Sequence, residues 1–220
     1  IKPTTSPTAT YILTNVVDDY VRIEGVELNG GNITNAQSLY GIALSAGIHD
    51  TLSDIRIDKV IIHDLQDVDG TGNRVVAGIY IVDGSAKISN TVIYDLPNTD
   101  AGAVSGASGI YEPGFGSDTH HIYNTTVFNM TDSGGGAGNT ARGVWNNSAT
   151  MTAKNVVCGK LSSTAGGTAC FVLITTQSNN VSSDSTASGT GSQTMKTDYP
   201  AYFVEASPTG TDMHIKNPSL

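Results

Sequence analysis

Short stretches in which apolar and polar residues alternate recur along this chain of 220 residues. The clearest copy is AKISNTVIYDL at Ala86–Leu96, and related copies begin at Val21, Ile55, His121 and Thr152. Each copy is short and rich in β-branched residues, and its apolar residues fall at alternate positions, which predicts a strand rather than a helix. Recurrence at a nearly fixed period predicts a repeat architecture.

Alignment of the copies defines three columns, with steps of 34, 31, 34 and 31 residues between successive copies. The columns hold Ile23, Ile57, Ile88, Ile122 and Ala153; Val26, Val60, Thr91, Thr125 and Val156; and Leu28, Ile62, Ile93, Val127 and Cys158. A strand that lies beside its own copy about thirty residues later belongs to a solenoid, whose coils bury their apolar faces by stacking. We therefore expect the first column to be buried and to pair in parallel from coil to coil.

A second repeat runs in phase with the first, so that one repeat is predicted to contain two strands. Its copies are GIAL at Gly41–Leu44, GIYI at Gly78–Ile81, GIYE at Gly109–Glu112, GVWN at Gly143–Asn146 and a degenerate CFVL at Cys170–Leu173. A further column precedes the strands and holds Gly25, Lys59, Asn90, Asn124, Asn155 and Asn180. Gly and Asn tolerate a left-handed backbone, so this column predicts a tight corner with a structural role.

Composition supports strands and argues against two classes of partner. Apolar residues make up 38% and charged residues 14% of the chain, which contains 25 glycines. The formal net charge is −9 and the pI about 4.7. Nucleic acids and anionic membrane surfaces both attract clusters of Lys and Arg, so neither is expected as a partner. No apolar run approaches the ~20 residues that a membrane span needs.

The whole chain, 1–220, is interpreted as one domain and as a segment of a longer polypeptide. Residues 1–10 are rich in Pro and Thr and predict an extended lead-in. Residues 177–198 are almost entirely polar and predict a long loop.

The chain resembles the right-handed parallel β-helices of the pectate-lyase type over roughly Tyr11–Ile215. The resemblance rests on DYVRIEGVEL at Asp19–Leu28, the G-I-Y-I strands, the Asn corner and a closing DMHIKNPS at Asp212–Ser219. It implies an all-β, single-stranded, right-handed parallel β-helix of about six to seven coils. The family includes polysaccharide lyases, polygalacturonases, phage tailspikes and bacterial surface proteins, so function has to be argued from a site.

An outward aromatic stripe is the first candidate site. Alternation along the G-I-Y-I strands points Tyr80, Tyr111 and Trp145 outward, on neighbouring coils about 4.8 Å apart. Exposed aromatic rings suit the apolar faces of sugars, so these three are the candidate ligand-binding residues. The alternative is that a loop covers the rings and that they only pack.

Carboxylates near the stripe could serve a glycoside hydrolase. Glu112 replaces an aliphatic residue of the repeat, and Asp83 is the available partner on the preceding coil. Paired carboxylates about 5–10 Å apart hydrolyse glycosides. The alternatives for Glu112 are a carboxylate that caps turn amides or a ligand of Ca²⁺, the one cofactor considered.

A polysaccharide lyase needs a base and a cation for the uronate carboxylate, for which His120, His121 and Arg142 are candidates. With only eleven Lys and Arg in the chain, however, a groove for polyuronate is hard to build. Surface charges on loops are therefore the preferred interpretation. None of these catalytic candidates carries a firm assignment, and no metal site is predicted.

Two cysteines, Cys158 and Cys170, lie twelve residues apart. A disulfide is possible in an oxidising compartment, and two buried apolar thiols are the alternative.

The sequence as a whole favours a non-enzymatic structural domain of an extracellular, cell or virion surface. One face would bind glycan or a neighbouring structural protein, and the chain could form a homo-oligomer. The alternative is a polysaccharide lyase or glycoside hydrolase of the same fold.

Overall fold

The computed structural model describes residues 11–16, 18–31, 38–45, 53–67, 72–102, 105–114 and 118–197. Within these ranges every regular element is a strand, and no helix is present. The predicted lead-in 1–10 and the closing motif Asp212–Ser219 lie outside the described residues.

The strands follow one another in groups of three, with one extra short strand before the last group, and each group of three forms one rung of a solenoid. In chain order they are β1 (Tyr11–Val16), β2 (Arg22–Glu24) and β3 (Glu27–Asn29); β4 (Leu39–Leu44), β5 (Ile55–Asp58) and β6 (Ile61–His63); β7 (Val75–Ile81), β8 (Ala86–Ser89) and β9 (Val92–Asn98); β10 (Gly106–Glu112), β11 (Thr119–Tyr123) and β12 (Thr126–Asp132); β13 (Thr140–Asn146), β14 (Thr150–Lys154) and β15 (Val157–Gly159); and β16 (Ser162–Ser163), β17 (Thr168–Val172), β18 (Thr176–Ser178) and β19 (Val181–Ser182).

Each rung contributes one strand to each of three parallel sheets. Sheet A has the order β1-β4-β7-β10-β13-β17, sheet B the order β2-β5-β8-β11-β14-β18, and sheet C the order β3-β6-β9-β12-β15-β19, with β16 also paired to β12. The chain is therefore an all-β parallel solenoid, as predicted. It has about four turns rather than the predicted six to seven. Its right-handed sense stays a prediction.

Two of the three predicted columns are confirmed by the pairing register. Ile23, Ile57, Ile88, Ile122 and Ala153 lie opposite one another along sheet B, and Leu28, Ile62, Ile93, Val127 and Cys158 do so along sheet C. All ten side chains are buried. The apolar face that no single rung could bury is thus covered by its copies above and below.

A corner divides each copy of the first repeat into two strands, so a rung has three strands instead of the predicted two. The corner residues have positive φ at Gly25, Lys59, Asn90, Asn124 and Asn155. The side-chain amide of Asn124 donates to Asn90 at 3.2 Å, and that of Asn155 donates to Asn124 at 2.9 Å.

The last corner was predicted one residue too far along the chain. Asn179, with φ of 50°, occupies the corner, whereas Asn180 is fully buried and donates to the carbonyl of Ala153 at 3.0 Å. Ala153 lies opposite Gln177, so the last rung follows its predecessor after fewer residues than the 31 to 34 that separate the earlier copies. This shorter step shifts the position of the last corner.

The glycine of the second repeat marks the place where sheet A packs on sheet C. A methyl group on Gly78 would lie 2.6 Å from Ile93 of sheet C and 2.8 Å from the carbonyl oxygen of Gly109. Gly41, Gly109 and Gly143 are crowded in the same way, by sheet C side chains and by the next rung's carbonyl. Only glycine allows this close approach of the backbone to the facing sheet.

The polar stretch 177–198, predicted to be a loop, contains β19 and most of β18. The residues after β19 cover the last strand of sheet A. The carboxylate of Asp184 accepts the backbone N–H of Cys170 at 2.7 Å, and the hydroxyl of Thr186 accepts that of Phe171 at 3.0 Å. These side chains satisfy an edge that would otherwise be a template for another strand.

Candidate functional site

Sheet A presents a row of aromatic rings on its outer face. Tyr80, Tyr111 and Trp145 lie opposite one another on successive rungs and are partly exposed. The ring centroids of Tyr111 and Trp145 are 4.1 Å apart, and those of Tyr80 and Tyr111 are 5.5 Å apart. The structure thus brings the three predicted ligand-binding residues together on one surface.

A fourth ring, Tyr40, extends this stack and was not predicted. It lies 4.1 Å from Tyr80 with the ring planes parallel to within 4°. The register places Tyr40 opposite Ala77, while Ala43 lies opposite Tyr80. Because Ala43 carries no ring, the ring of Tyr40 takes the adjacent place from three residues earlier in the strand. We call Tyr40, Tyr80, Tyr111 and Trp145 the sheet A ladder.

The stacking decides which parts of the rings a ligand could reach. Tyr40 and Tyr80 cover each other's faces, as do Tyr111 and Trp145, whose planes differ by 19°. Tyr80 and Tyr111 are tilted by 51°, so the stack is interrupted between them. The ladder therefore offers ring edges, tyrosine hydroxyls and this one break, rather than a row of open ring faces.

Arg142 lies at the Trp145 end of the sheet A ladder. Its Cζ atom is 3.4 Å from a ring centroid of Trp145, a cation–π distance. Burial lowers the pKa of the Arg142 guanidinium, and Nη1 is buried without a hydrogen-bond partner among the described residues. The indole N–H of Trp145 donates to Asn147 at 2.7 Å. A partly desolvated cation thus adjoins the aromatic surface.

Glu112 is held in a corner and only 2% exposed. Its carboxylate accepts the backbone N–H groups of Gly114 at 2.7 Å, Asn147 at 2.8 Å and Ser148 at 3.1 Å. These bonds join one rung to the next and match the alternative of a carboxylate that caps turn amides. A carboxylate with both oxygens engaged in this way is poorly placed to protonate a sugar.

Asp83 lies in the corner that follows β7, beside Asp118. Burial and the charge of Asp118 raise the pKa of the Asp83 carboxyl. Asp118 itself accepts the backbone N–H of Gly84 at 3.0 Å.

The groups considered for a lyase lie on two sheets. His120 is buried opposite Met151 of sheet B, and His121 lies opposite Lys87 on the same sheet. Arg142 belongs to sheet A. The structure therefore does not bring the candidate bases and the candidate cation to one surface.

Cys158 and Cys170 form a disulfide with a Cα–Cα separation of 5.5 Å. Both residues are fully buried, and the bond joins the third strand of one rung to sheet A of the next. It cross-links the last rungs of the solenoid, next to the polar residues that follow β19.

A second stack of rings, His63, Tyr94 and Phe128, runs along sheet C, and we call it the sheet C ladder. The centroids of His63 and Tyr94 are 4.9 Å apart with parallel planes, and Phe128 lies opposite Tyr94. The exposed fractions are 6%, 8% and 3%, so this ladder is buried.

No three His, Cys, Asp or Glu side chains in the described ranges are grouped so as to hold a metal ion. The possible calcium site stays a prediction.

The described residues contain no helix with the length and apolar character needed to cross a membrane.

Comparisons with known protein families, curated proteins and solved structures found no match to this chain. The fold assignment rests on the strand pairing described above, and function has to be inferred from the surfaces of this solenoid.

Proposed function

We propose that this chain is a non-enzymatic structural domain of an extracellular or virion surface that binds glycan through the sheet A ladder. The observation that supports this proposal is the partial exposure of four aromatic residues aligned on consecutive rungs. Exposed aromatic surface of this extent commonly marks an interaction site. Successive strands of the solenoid lie about 4.8 Å apart, and the ring centroids follow them at 4.1 to 5.5 Å.

The chemistry of the surface suits a glycan. The hydroxyl of Tyr111 has no hydrogen-bond partner in the described part of the chain, so it can donate to or accept from a sugar hydroxyl. A tyrosine hydroxyl is protonated near neutral pH at its ordinary pKa of 10.0, and burial raises the pKa of Tyr111 further. Arg142 adds a guanidinium at one end of the row.

A relationship to the pectate-lyase-type β-helices, including tailspikes and bacterial adhesins, forms part of the proposal. Parallel three-sheet stacking, the aligned Asn corner and the apolar columns support it. The buried disulfide supports an oxidising, extracellular location, because disulfides persist there.

The alternative, a lyase or hydrolase of the same fold, has less support. The Glu112 carboxylate already accepts hydrogen bonds from three turn amides. The lyase candidates are divided between sheets A and B. We therefore expect no release of unsaturated uronides or reducing sugars from common polysaccharides.

The decisive experiment compares wild type with Trp145→Ala on a glycan array, followed by calorimetric titration of any glycan that binds. We expect affinity to fall about two- to tenfold, the range for one aromatic contact, while the melting temperature changes little. Tyr123→Ala is a matched control, because Tyr123 is a partly exposed aromatic residue on sheet B. Unchanged glycan affinity in Trp145→Ala, or binding of a partner protein and no glycan, would contradict the proposal.

A further inference from the structure

Sheet B carries a column of basic side chains on its outer face. Arg22, Arg56, Lys87 and His121 lie opposite one another on four successive rungs. The first three are exposed, and they are three of only eleven Lys and Arg in a chain of net charge −9.

The column does not help the fold. Like charges directly opposite each other on neighbouring strands are destabilising, and rungs of a parallel sheet are only about 4.8 Å apart. The outward column of sheet C carries no cation and consists of Glu27, Ile61, Val92, Thr126 and Val157, so alignment of cations is not a requirement of the solenoid. An external anion would relieve the repulsion.

Nearby carboxylates leave part of the column unpaired. Asp54 binds Arg56 through both carboxylate oxygens, at 2.7 and 3.0 Å, and this hydrogen bonding lowers the pKa of Asp54. Arg22 and Lys87 form no salt bridge with a carboxylate of the described residues, and their charges act on Asp54 only as minor causes of its lowered pKa. Lys87 has only a cation–π contact, 5.7 Å from the ring of Tyr123.

The other nearby carboxylates are already occupied by Lys59. Its ammonium group lies 2.7 Å from Glu24 and 3.5 Å from Asp58. Asp58 also accepts the hydroxyl of Ser89 at 2.7 Å and the amide of Asn90 at 2.8 Å. Four cations (Arg22, Arg56, Lys59, Lys87) thus face three carboxylates (Glu24, Asp54, Asp58), and the local charge is 4 − 3 = +1.

A shallow cleft of about 210 Å³ follows this column, lined by Arg22, Arg56 and Lys87 on one side and by Glu24, Asp58 and Ser89 on the other. The cations can meet anionic groups, and the oxygens of the second wall can meet hydroxyls. The unpaired cations Arg22 and Lys87 are two rungs, or about 9–10 Å, apart. That separation is close to the length of a disaccharide.

We propose that the basic column of sheet B binds a linear anionic polysaccharide that runs along the solenoid, with its carboxylate or sulfate groups on Arg22 and Lys87. A nucleic acid is disfavoured, because its dense phosphates would lie against Glu24 and Asp58 and because the chain as a whole is acidic. The site lies on a different sheet from the aromatic ladder, so it goes beyond the proposed function and can fail independently of it.

The test measures binding of the whole chain to polygalacturonate, dextran sulfate, neutral dextran and a single-stranded DNA oligomer at low and at physiological salt. Wild type is expected to bind at least one of the two anionic polysaccharides, more tightly at low salt, and not neutral dextran. Binding of polygalacturonate alone assigns carboxylate groups, and binding of dextran sulfate alone assigns sulfate groups. Either outcome supports the site.

Variants locate the binding on the surface. Arg22→Gln and Lys87→Gln should each weaken binding about threefold, as expected for a partly screened charge contact, and the double variant should weaken it further. Asp54→Asn should strengthen binding because it frees Arg56, and Asn tolerates the positive φ of 48° at this position. Lys154→Gln is the matched control, since Lys154 is an exposed lysine of sheet B outside the column.

Three results would overturn the proposal. These are the absence of binding to both anionic polysaccharides, equal loss of affinity in Lys154→Gln and in the column variants, and tighter binding of DNA than of either polysaccharide through the same residues. Retention of polyanion binding by Trp145→Ala would separate this site from the sheet A ladder, and loss of it there would place the polyanion on sheet A instead.

Discussion

The two aromatic ladders have similar geometry and differ in burial. Each aligns rings on successive rungs, with centroids 4.1 to 5.5 Å apart in the sheet A ladder and 4.9 Å apart for His63 and Tyr94 in the sheet C ladder. The sheet C ladder is at most 8% exposed, whereas every ring of the sheet A ladder is partly exposed. Ring stacking alone therefore does not distinguish a structural stack from an interaction surface.

The polar groups beside the two ladders differ as well. His63 has Glu27 and Asp64 at 2.9 Å from its two ring nitrogens, and Lys160 lies 5.7 Å from the ring of Phe128. Burial raises the pKa of Tyr94 to about 12. The histidine of the sheet C ladder is satisfied within the protein, whereas Arg142 beside the sheet A ladder retains a buried N–H group without a described partner.

The largest expected effect is the loss of stability in Tyr94→Ala. The ring is buried between rungs, and truncating a buried aromatic residue costs about 3 kcal/mol or more, since the surrounding strands cannot close the cavity. Chemical denaturation of wild type, Tyr94→Ala and Tyr111→Ala measures this directly. Tyr111→Ala should cost about 1 kcal/mol because its ring already contacts solvent. Equal losses in the two variants would show that the sheet A ladder is structural too.

Much of the solenoid could be predicted from the sequence, because alternation and period report directly on which side chains share a column. Ile57 and Ile88 pair as expected, and Tyr80, Tyr111 and Trp145 lie together. Tyr40 was missed because its ring reaches the stack from three residues away, which column alignment does not detect. A tyrosine close before a small residue in an aromatic column is the signal that could have revealed it.

Other features depended on contacts between distant segments. The role of Glu112 is set by amides about 35 residues later, and that of Asp184 by the edge of β17. The charges of Arg22 and Lys87 were visible in the sequence, but their alignment in one column was not considered. A sequence pattern shows which residues face outward. It does not show as readily which of these residues have hydrogen-bond or charge partners within the protein.

A smaller loss of stability is expected from Gly109→Ala, which tests whether close packing of sheet A on sheet C keeps the ladders on separate outer faces. The added methyl group would contact Val127 and lie 2.8 Å from the carbonyl oxygen of Gly143. Overpacking of this kind costs about 1–3 kcal/mol. Gly135→Ala is the matched control, because no atom lies within 4 Å of its added methyl group. Equal denaturation midpoints for the two variants would refute this account of the glycine column.

A modest dependence of folding stability on pH should arise from His120, which lies outside both ladders. Burial lowers the pKa of His120 below its ordinary value of 6.5, and Nδ1 has no described partner. As the pH falls, His120 of the unfolded chain is therefore protonated at a higher pH than His120 of the folded chain. The stability that neutral His120 contributes above pH 6.5 is lost as the pH falls towards the lowered pKa. Melting temperatures of wild type and His120→Met between about pH 7.5 and 5 should diverge on the acid side.

The buried carboxyl of Asp132 acts in the opposite direction. Burial raises its pKa from 3.8, so its contribution is present below pH 3.8 and is lost as the pH rises through the raised value. The difference between wild type and His120→Met removes this term because both chains contain Asp132. If the melting temperatures of the two proteins change equally with pH across this range, His120 is not the source of acid sensitivity.

The smallest expected effect on stability belongs to Tyr111→Phe, which removes the hydroxyl and keeps the ring stacked 4.1 Å from Trp145. Since this hydroxyl has no partner in the described part of the chain, unfolding free energy should change by no more than about 0.5 kcal/mol. Loss of a hydrogen bond to a sugar costs about 0.5–1.5 kcal/mol, so glycan affinity should fall about two- to tenfold. Calorimetric titration beside a denaturation curve separates the two quantities. Full glycan affinity in Tyr111→Phe together with weakened binding in Trp145→Ala would assign recognition to ring edges. Reduced stability in Tyr111→Phe would instead place this residue in the same structural class as Tyr94.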